Sequence, residues 1–414
     1  MISNDSSFIP VAKPWLDESE ALAAQRVILS GWVTQGSEVN KFENEFAAYV
    51  GANYACAVSS CTTALHLALL AVGVKQGDEV ITVSQSYIAT ANSIRYCAAI
   101  PVFVDVCSIT HNIDVDKIES VINSKTRAIL CVHQVGMPCD LQAIIPLAKS
   151  YGLPVIEDAA CAIGSEILWD GEWDKIGKPH GDIACFSFHP RKVVTTGDGG
   201  MITTNNSEWD KQFRLWRQHG MSIPDTVRHH STEVVFESYP VMGYNYRMTD
   251  IQAAIGREQL KKLPVMLEKR RHLADRYSKQ LIHINDIRLP HQPAWARSNW
   301  QSYPVTLSSS KLQRTVMQML RDQNIATRRG VMCAHREKAL GLDERYEWRC
   351  EGFYAGCKCN PGSCEKLQNS EYLQDHQVIL PLYHQMTESV QDVVIQSFDV
   401  CIASSHKSMV ATSS

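Results

Sequence analysis

Residues 155–162 read Val155-Ile156-Glu157-Asp158-Ala159-Ala160-Cys161-Ala162, an apolar, β-rich run that ends in a carboxylate and passes into small residues. This is the pattern of a buried strand delivering a charged side chain to a turn. Similar runs recur at Tyr54 to Val58, Glu79 to Val83, Val102 to Val106, Ala128 to Val132, Ile183 to Phe188 and Met201 to Thr203. Helix-like segments such as Thr63 to Ala71 and Leu141 to Tyr151 lie between them. The alternation builds βα units and a mostly parallel sheet, and near-continuous apolar strands need cover on both faces. The fold class is therefore α/β, with a ligand expected at the C-terminal ends of the strands.

The chain has 414 residues, more than the roughly 250 to 300 that one core serves, so a large and a smaller domain are expected. After Tyr246 the texture becomes helical over Thr249 to Leu263, is checked at Pro264, and continues as a charged helix to about Leu281. A strand at Gln301 to Thr306, a helix at Lys311 to Gln323 and a closing helix at Glu388 to Ile402 give the second unit an α+β character. The expected division is an N-terminal arm over 1–18, a large domain over 19–262 and a small C-terminal domain over 263–404. A cysteine-rich insertion at about 345–370 and a flexible tail over 405–414 complete it.

Hydrophobic residues make up 45% and charged residues 20%, the balance of a chain that folds around a core. A net charge of -4 and a pI near 6.4 leave no basic footprint, which argues against nucleic acid as a main partner. The longest apolar run, Leu65 to Val74, contains His66 and falls far short of the ~20 residues that span a bilayer. Met1 to Trp15 lacks a secretory pattern, so a cytoplasmic protein without membrane contact is expected. Fourteen cysteines scattered through such a chain read as free thiols. Cys350, Cys357, Cys359 and Cys364 cluster, with six, one and four residues between them. They would suit a tetrahedral Zn²⁺ or an iron–sulfur cluster, or stay unligated, and the spacing is not a familiar ligand framework.

Phe186-Ser187-Phe188-His189-Pro190-Arg191-Lys192 is followed by Thr195-Thr196-Gly197-Asp198-Gly199-Gly200. A lysine just past a strand and before a glycine-rich loop can present its amine to a pocket, where desolvation would lower its pKa and free it to form a Schiff base. A solvated surface lysine would give the same letters. Asp158 likewise reads as a pocket carboxylate or as a helix N-cap. In Val58-Ser59-Ser60-Cys61-Thr62-Thr63-Ala64-Leu65 a strand turns into a helix through hydroxyl residues. Free N–H groups there seat a phosphate, or Ser and Thr simply cap the helix. Ser187 offers a further hydroxyl, and Tyr87, in Ser84-Gln85-Ser86-Tyr87, can stack on a planar ring. Gly243-Tyr244-Asn245-Tyr246-Arg247-Met248-Thr249-Asp250 crowds polar and aromatic side chains into a turn before a helix.

Taken together, in this order and spacing, these segments resemble the nucleotide-sugar aminotransferases of the DegT/StrS family. The likeness runs from Ser30-Gly31-Trp32 with Gln35-Gly36 to Leu380-Pro381-Leu382. It implies the type I pyridoxal-phosphate (PLP) transferase fold. It also implies transfer of an amino group from an amino acid, L-glutamate, to a nucleotide-linked keto sugar in amino-sugar or polysaccharide biosynthesis. By this resemblance Lys192 is the Schiff-base lysine, and Asp158 keeps the pyridine nitrogen protonated so that the ring acts as an electron sink. Tyr87 stacks on the ring, while Thr62, Ser187 and the backbone at Cys61 hold the phosphate. Asn245 reaches the cofactor phosphate of a neighbouring subunit, which makes a homodimer with shared active sites the expectation.

Cys61 stands where the family usually has glycine or alanine, and Cys161 where it has glutamine or histidine; both are kept as cofactor neighbours. Arg328, Arg329 and His335 are candidates for the nucleotide diphosphate, or else ordinary exposed charges. A PLP-dependent sugar dehydratase shares the fold but has histidine in place of the lysine, and Lys192 argues against it. A PLP-binding regulator without turnover is the non-enzyme alternative, against which Lys192, Asp158 and Ser187 all speak.

Overall fold

The structure, a computed structural model, describes residues 8–223, 228, 231–341, 348–351 and 362–411. Nine strands come first: β1 Tyr54–Val58, β2 Glu79–Val83, β3 Ile100–Val104, β4 Thr126–Val132, β5 Val155–Asp158, β6 Glu166–Trp169, β7 Glu172–Lys175, β8 Ile183–Ser187 and β9 Gly200–Thr204. Later come β10 Ile287–Arg288, β11 Ala296–Arg297, β12 Tyr303–Leu307, β13 Arg328–Arg329, β14 Arg349–Cys350 and β15 Gln377–Leu380. The main helices are α1 Glu18–Ser30, α2 Ser37–Val50, α3 Cys61–Ala71, α4 Ile88–Tyr96, α5 Leu141–Ser150, α6 Ser207–Trp216 and α7 Asp250–Leu281. The C-terminal part adds α8 Ser310–Asp322, α9 Gln368–His376 and α10 Glu388–Ala411.

Eight strands form the large sheet in the order β1-β9-β8-β5-β4-β2-β3-β14. The run from β8 through β14 is parallel, whereas β9 lies antiparallel to both β8 and β1. That reversal has a direct result. With Ser187 opposite Gly200 and Val58 opposite Gly200, the end of β8, the start of β9 and the end of β1 meet at one edge. Asp158, in register with Cys185, ends β5 at the same edge. A core of Phe42, Phe46, Phe186 and Phe188 locks α2 onto this sheet, with ring centroids 5.0 Å apart for Phe46 and Phe186. Burying four such rings contributes about 1.5–3 kcal/mol each.

A second sheet, β10-β12-β15-β13, is antiparallel throughout and builds its own core with α8 and α10 from Tyr303, Val305, Leu312, Val316, Leu320 and Phe398. The start of the chain is tied to this unit: Ile9 bridges Ile325, and the Leu382 N–H donates to the Val11 carbonyl at 3.1 Å. A small third sheet, β11-β6-β7, was not visible in the sequence pattern.

Three expectations need correction. Pro264 does not interrupt the helix, since α7 runs unbroken through it. The missing N–H costs ~3 kcal/mol in a helix interior, and burial of Leu263, Met266 and Leu267 around it offsets this. The tail expected to fray after Ser404 is helical to Ala411. The cysteine-rich stretch, although it lies within the second unit in sequence, sends β14 to the edge of the large sheet beside β3. Cys350 and Cys364 are buried with sulfurs 3.5 Å apart, while Cys357 and Cys359 lie outside the described residues. Among the described residues no group of three or more His, Cys, Asp or Glu is arranged to hold a metal, and no helix is long and apolar enough to cross a membrane.

Candidate active site

Asp158 is 5% exposed at the end of β5. Its Oδ2 accepts from Thr90 Oγ1 at 2.7 Å and its Oδ1 from the Ala160 N–H at 3.1 Å. Thr90 Oγ1 in turn lies 2.7 Å from Ser86 Oγ. Two donors from separate elements fix the carboxylate's plane and aim it along the strand end. Tyr87, at the N-cap of α4 just before Thr90, is 64% exposed, so its ring is open to a planar partner.

At the start of α3, Ser60 Oγ accepts from the Thr63 N–H at 3.2 Å and the Thr63 hydroxyl accepts from the Ser60 N–H at 3.1 Å. The cap leaves the N–H groups of Cys61 and Thr62 available at the positive end of the helix. The backbone here must pass close to β9. A Cβ on Gly200 would sit 2.5 Å from the Ser60 carbonyl carbon and 2.8 Å from the Cys61 nitrogen, so only glycine fits. Cys61 turns its thiol inward, donating to the Cys185 carbonyl at 3.6 Å. Burial, and then Asp158, push that thiol well above its ordinary pKa, so it is neutral and leaves only its backbone toward a ligand.

The connection from Phe188 to Gly199 is closed by the Phe188 N–H donating to the Gly199 carbonyl at 2.9 Å and by the Thr196 N–H donating to the Phe188 carbonyl at 3.0 Å. Gln301 Nε2 braces it from the second unit, donating to the Arg191 carbonyl at 2.9 Å. Lys192, half-buried, points its Nζ at Cys161 Sγ, 3.0 Å away. Burial alone would lower the lysine pKa, as the sequence suggested. Cys161, then Asp158 and Cys61, outweigh it and hold the amine above the usual lysine value. Ser187 is half-buried, its Oγ accepting from the His189 N–H at 3.4 Å.

Asn245 is exposed on a turn attached to the α3 approach by the Ser59 N–H donating to the Tyr246 carbonyl at 2.8 Å. Tyr244 and Tyr246 stack with centroids 4.9 Å apart, and His66 Nδ1 lies 3.2 Å from the Tyr246 hydroxyl. Burial pushes His66 down to about 4.

The segment 325–335 behaves differently. Arg328 and Arg329 are exposed on β13, Arg329 within 3.6 Å of Glu337. His335 is 2% exposed, with Nδ1 2.6 Å from Ser84 Oγ and Nε2 3.0 Å from Glu371 Oε1. Burial lowers its pKa against the pull of Glu371. Because the Glu371 carboxylate only accepts, Nε2 carries the hydrogen, and in the neutral ring Nδ1 accepts from the Ser84 hydroxyl, which itself accepts from the His335 N–H at 3.1 Å. Both ring nitrogens are thus engaged, so the phosphate contact expected of His335 from the sequence would require one of these bonds to open. Thr90, Ser86, Gly200 and Gln301 are the site residues that sequence reasoning missed.

A carboxylate, an amine and a capped helix start thus converge at one sheet edge, and the pattern of the DegT/DnrJ/EryC1/StrS aminotransferase family matches residues 14–399. The chain belongs to that family. GDP-perosamine synthase from Caulobacter vibrioides is 40% identical over 321 residues, covering 77% of this chain and 82% of that protein. Among solved structures, the aminotransferase TlmJ from Streptoalloteichus hindustanus is 30% identical with a TM-score of 0.82, over 96% of this chain and 99% of that one. NtdA from Bacillus subtilis, solved with bound cofactor PMP, is 30% identical with a TM-score of 0.77, over 93% of this chain and 82% of that one. As a member of the DegT/DnrJ/EryC1/StrS family the protein is an aminotransferase with the fold of the PLP-dependent enzymes.

Proposed function

We propose that the protein transfers an amino group from L-glutamate to a nucleotide-linked keto sugar, in amino-sugar or polysaccharide biosynthesis, with PLP carried on Lys192. The observation that supports this best is the convergence of Lys192 Nζ, the Asp158 carboxylate and the α3 N-terminus at adjacent strand ends. The residues fit the cofactor: Gly200 keeps the Ser60–Cys61 backbone clear of any Cβ, and the free N–H groups of Cys61 and Thr62 suit a phosphate. When bound, the cofactor supplies an aldehyde that links to amines and a ring that takes up the electron pair left on the substrate carbon.

The chain's own residues do the rest. Asp158, held by Thr90 and Ala160, keeps a proton on the ring nitrogen. Thr62, Ser187 and the Cys61 N–H hold the phosphate, and Tyr87 covers the ring. Lys192, freed when the amino donor takes its place, removes the proton from the donor α-carbon and returns it one position along. Donor and acceptor use the site in turn, so the kinetics are ping-pong. Arg328 and Arg329 meet the nucleotide diphosphate, and exposed Asn245 reaches the phosphate site of a second subunit in a cytoplasmic homodimer.

Borohydride reduction of the isolated holoprotein, followed by peptide mapping, is expected to fix the vitamin on Lys192. Incubation with glutamate and a panel of nucleotide 4-keto and 3-keto sugars is expected to release 2-oxoglutarate. Loss of a sugar hydroxyl without glutamate consumption would favour the dehydratase instead, and absence of any exchange would favour the silent regulator.

A further inference from the structure

Asp158 accepts from Thr90 and from the Ala160 N–H and keeps acceptor capacity for the ring nitrogen. Lys192 Nζ meets a thiol instead, Cys161 Sγ at 3.0 Å. The backbone that carries this thiol is held by Asn299 Nδ2, which donates to the carbonyls of Cys161 and Ile163, each at 2.8 Å. A free thiol ionises at about 8.5 and a lysine amine at about 10.4. A proton shared by the two therefore belongs on nitrogen, and attraction across so short a gap reinforces that choice. The second thiol nearby, Cys61, donates to the Cys185 carbonyl and stays neutral. Asp158 from β5 and Cys61 from α3 face the lysine, while His189 and Arg191 flank it on its own loop.

We propose that Cys161 is the proton partner of Lys192. In the cofactor-free protein Nζ already carries three protons, so the Sγ–H bond breaks with its proton passing to solvent, leaving a thiolate held by the ammonium. On bonding to the aldehyde carbon, Nζ gives up three protons: two leave with the oxygen as water and one passes to Sγ. Nothing is oxidised or reduced. The second half rests on the PLP reading above, whereas the first concerns only the protein's own side chains.

The test begins with cofactor-free protein treated with iodoacetamide at neutral pH and mapped by mass spectrometry. Cys161 is expected to react at least about tenfold faster than half-buried Cys107, which serves as internal reference. Lys192→Met, which removes the ammonium, is expected to abolish that advantage. A second measurement follows capture of added PLP by absorbance from about pH 6 to 10. Without the thiolate the amine loses its proton more easily, so Cys161→Ser and Cys161→Ala should both shift the midpoint down by about one pH unit. Cysteine 161 reacting no faster than Cys107, or an unchanged midpoint in both variants, overturns the proposal. Failure of borohydride to fix PLP on Lys192 would sink the functional reading and leave the alkylation ratio intact.

Discussion

Lys192 with Asp158 at one sheet edge and His335 with Arg328 and Arg329 on the other unit looked alike as letters: polar groups in turns, next to strands. They fold to opposite conditions. At the sheet edge the polar groups keep spare capacity, with Tyr87 exposed, Thr62 half-buried and two helix N–H groups open. His335 keeps none, because Ser84 and Glu371 take both ring nitrogens. A polar residue in a turn is thus a ligand candidate only where its neighbours leave a donor or acceptor unpaired, and that depends on contacts distant in sequence.

Substitutions can break or sharpen this contrast. The largest effect is expected for Lys192→Ala, which removes both the anchor and the base: turnover should fall about a thousandfold or more, measured as glutamate-dependent 2-oxoglutarate release. Asp158→Asn should cost about a hundredfold, and Thr90→Val about tenfold with a non-additive double variant, because Thr90 acts through the same carboxylate. Arg328→Ala or Arg329→Ala should raise KM for the nucleotide sugar about tenfold while leaving the melting temperature within a degree or so. His335→Ala should do the reverse, leaving KM nearly unchanged while Ser84 and Glu371, stripped of their partner, cost about 1–3 kcal/mol of stability. A raised KM with intact stability in that variant would erase the contrast.

The smallest expected effect is one of pH. His66 is held neutral, with a pKa of about 4 in the folded protein against an ordinary value of about 6.5 in the unfolded chain. The unfolded state therefore binds the extra proton first, and His66 favours folding above about pH 6.5 and loses that contribution as pH falls toward 4. Thermal melts at stepped pH should show the decline, and His66→Gln should flatten part of it.

Much of this was legible in the chain. Tyr54 to Val58 and Glu79 to Val83 are strands over the span their apolar runs suggested, and Asp158 closes its strand as the quoted stretch implied. Local signals sufficed because strand periodicity and helix capping are properties of neighbouring residues. Thr90 was invisible because it lies 68 residues from the carboxylate it holds, and only the sheet order brings the two together. Gly200 looked like one more loop glycine, and its need appears only when β9 is seen against Ser60. Pro264 misled for the opposite reason: its local cost was read correctly, but the burial that offsets it was not in view.

The unbroken helix α7 has a mechanical consequence. At its head the Asp250 carboxylate clasps the first turn of α2, accepting from the Gly36 and Val39 N–H groups at 2.7 and 3.0 Å. Further along, Arg270 grips the carbonyls of Trp300 and Leu382 at 2.9 and 3.2 Å, and Tyr277 and Leu281 sit inside the other core. The helix is an axle keyed at both ends. A shift of the C-terminal sheet is therefore passed along α7 to the first turn of α2.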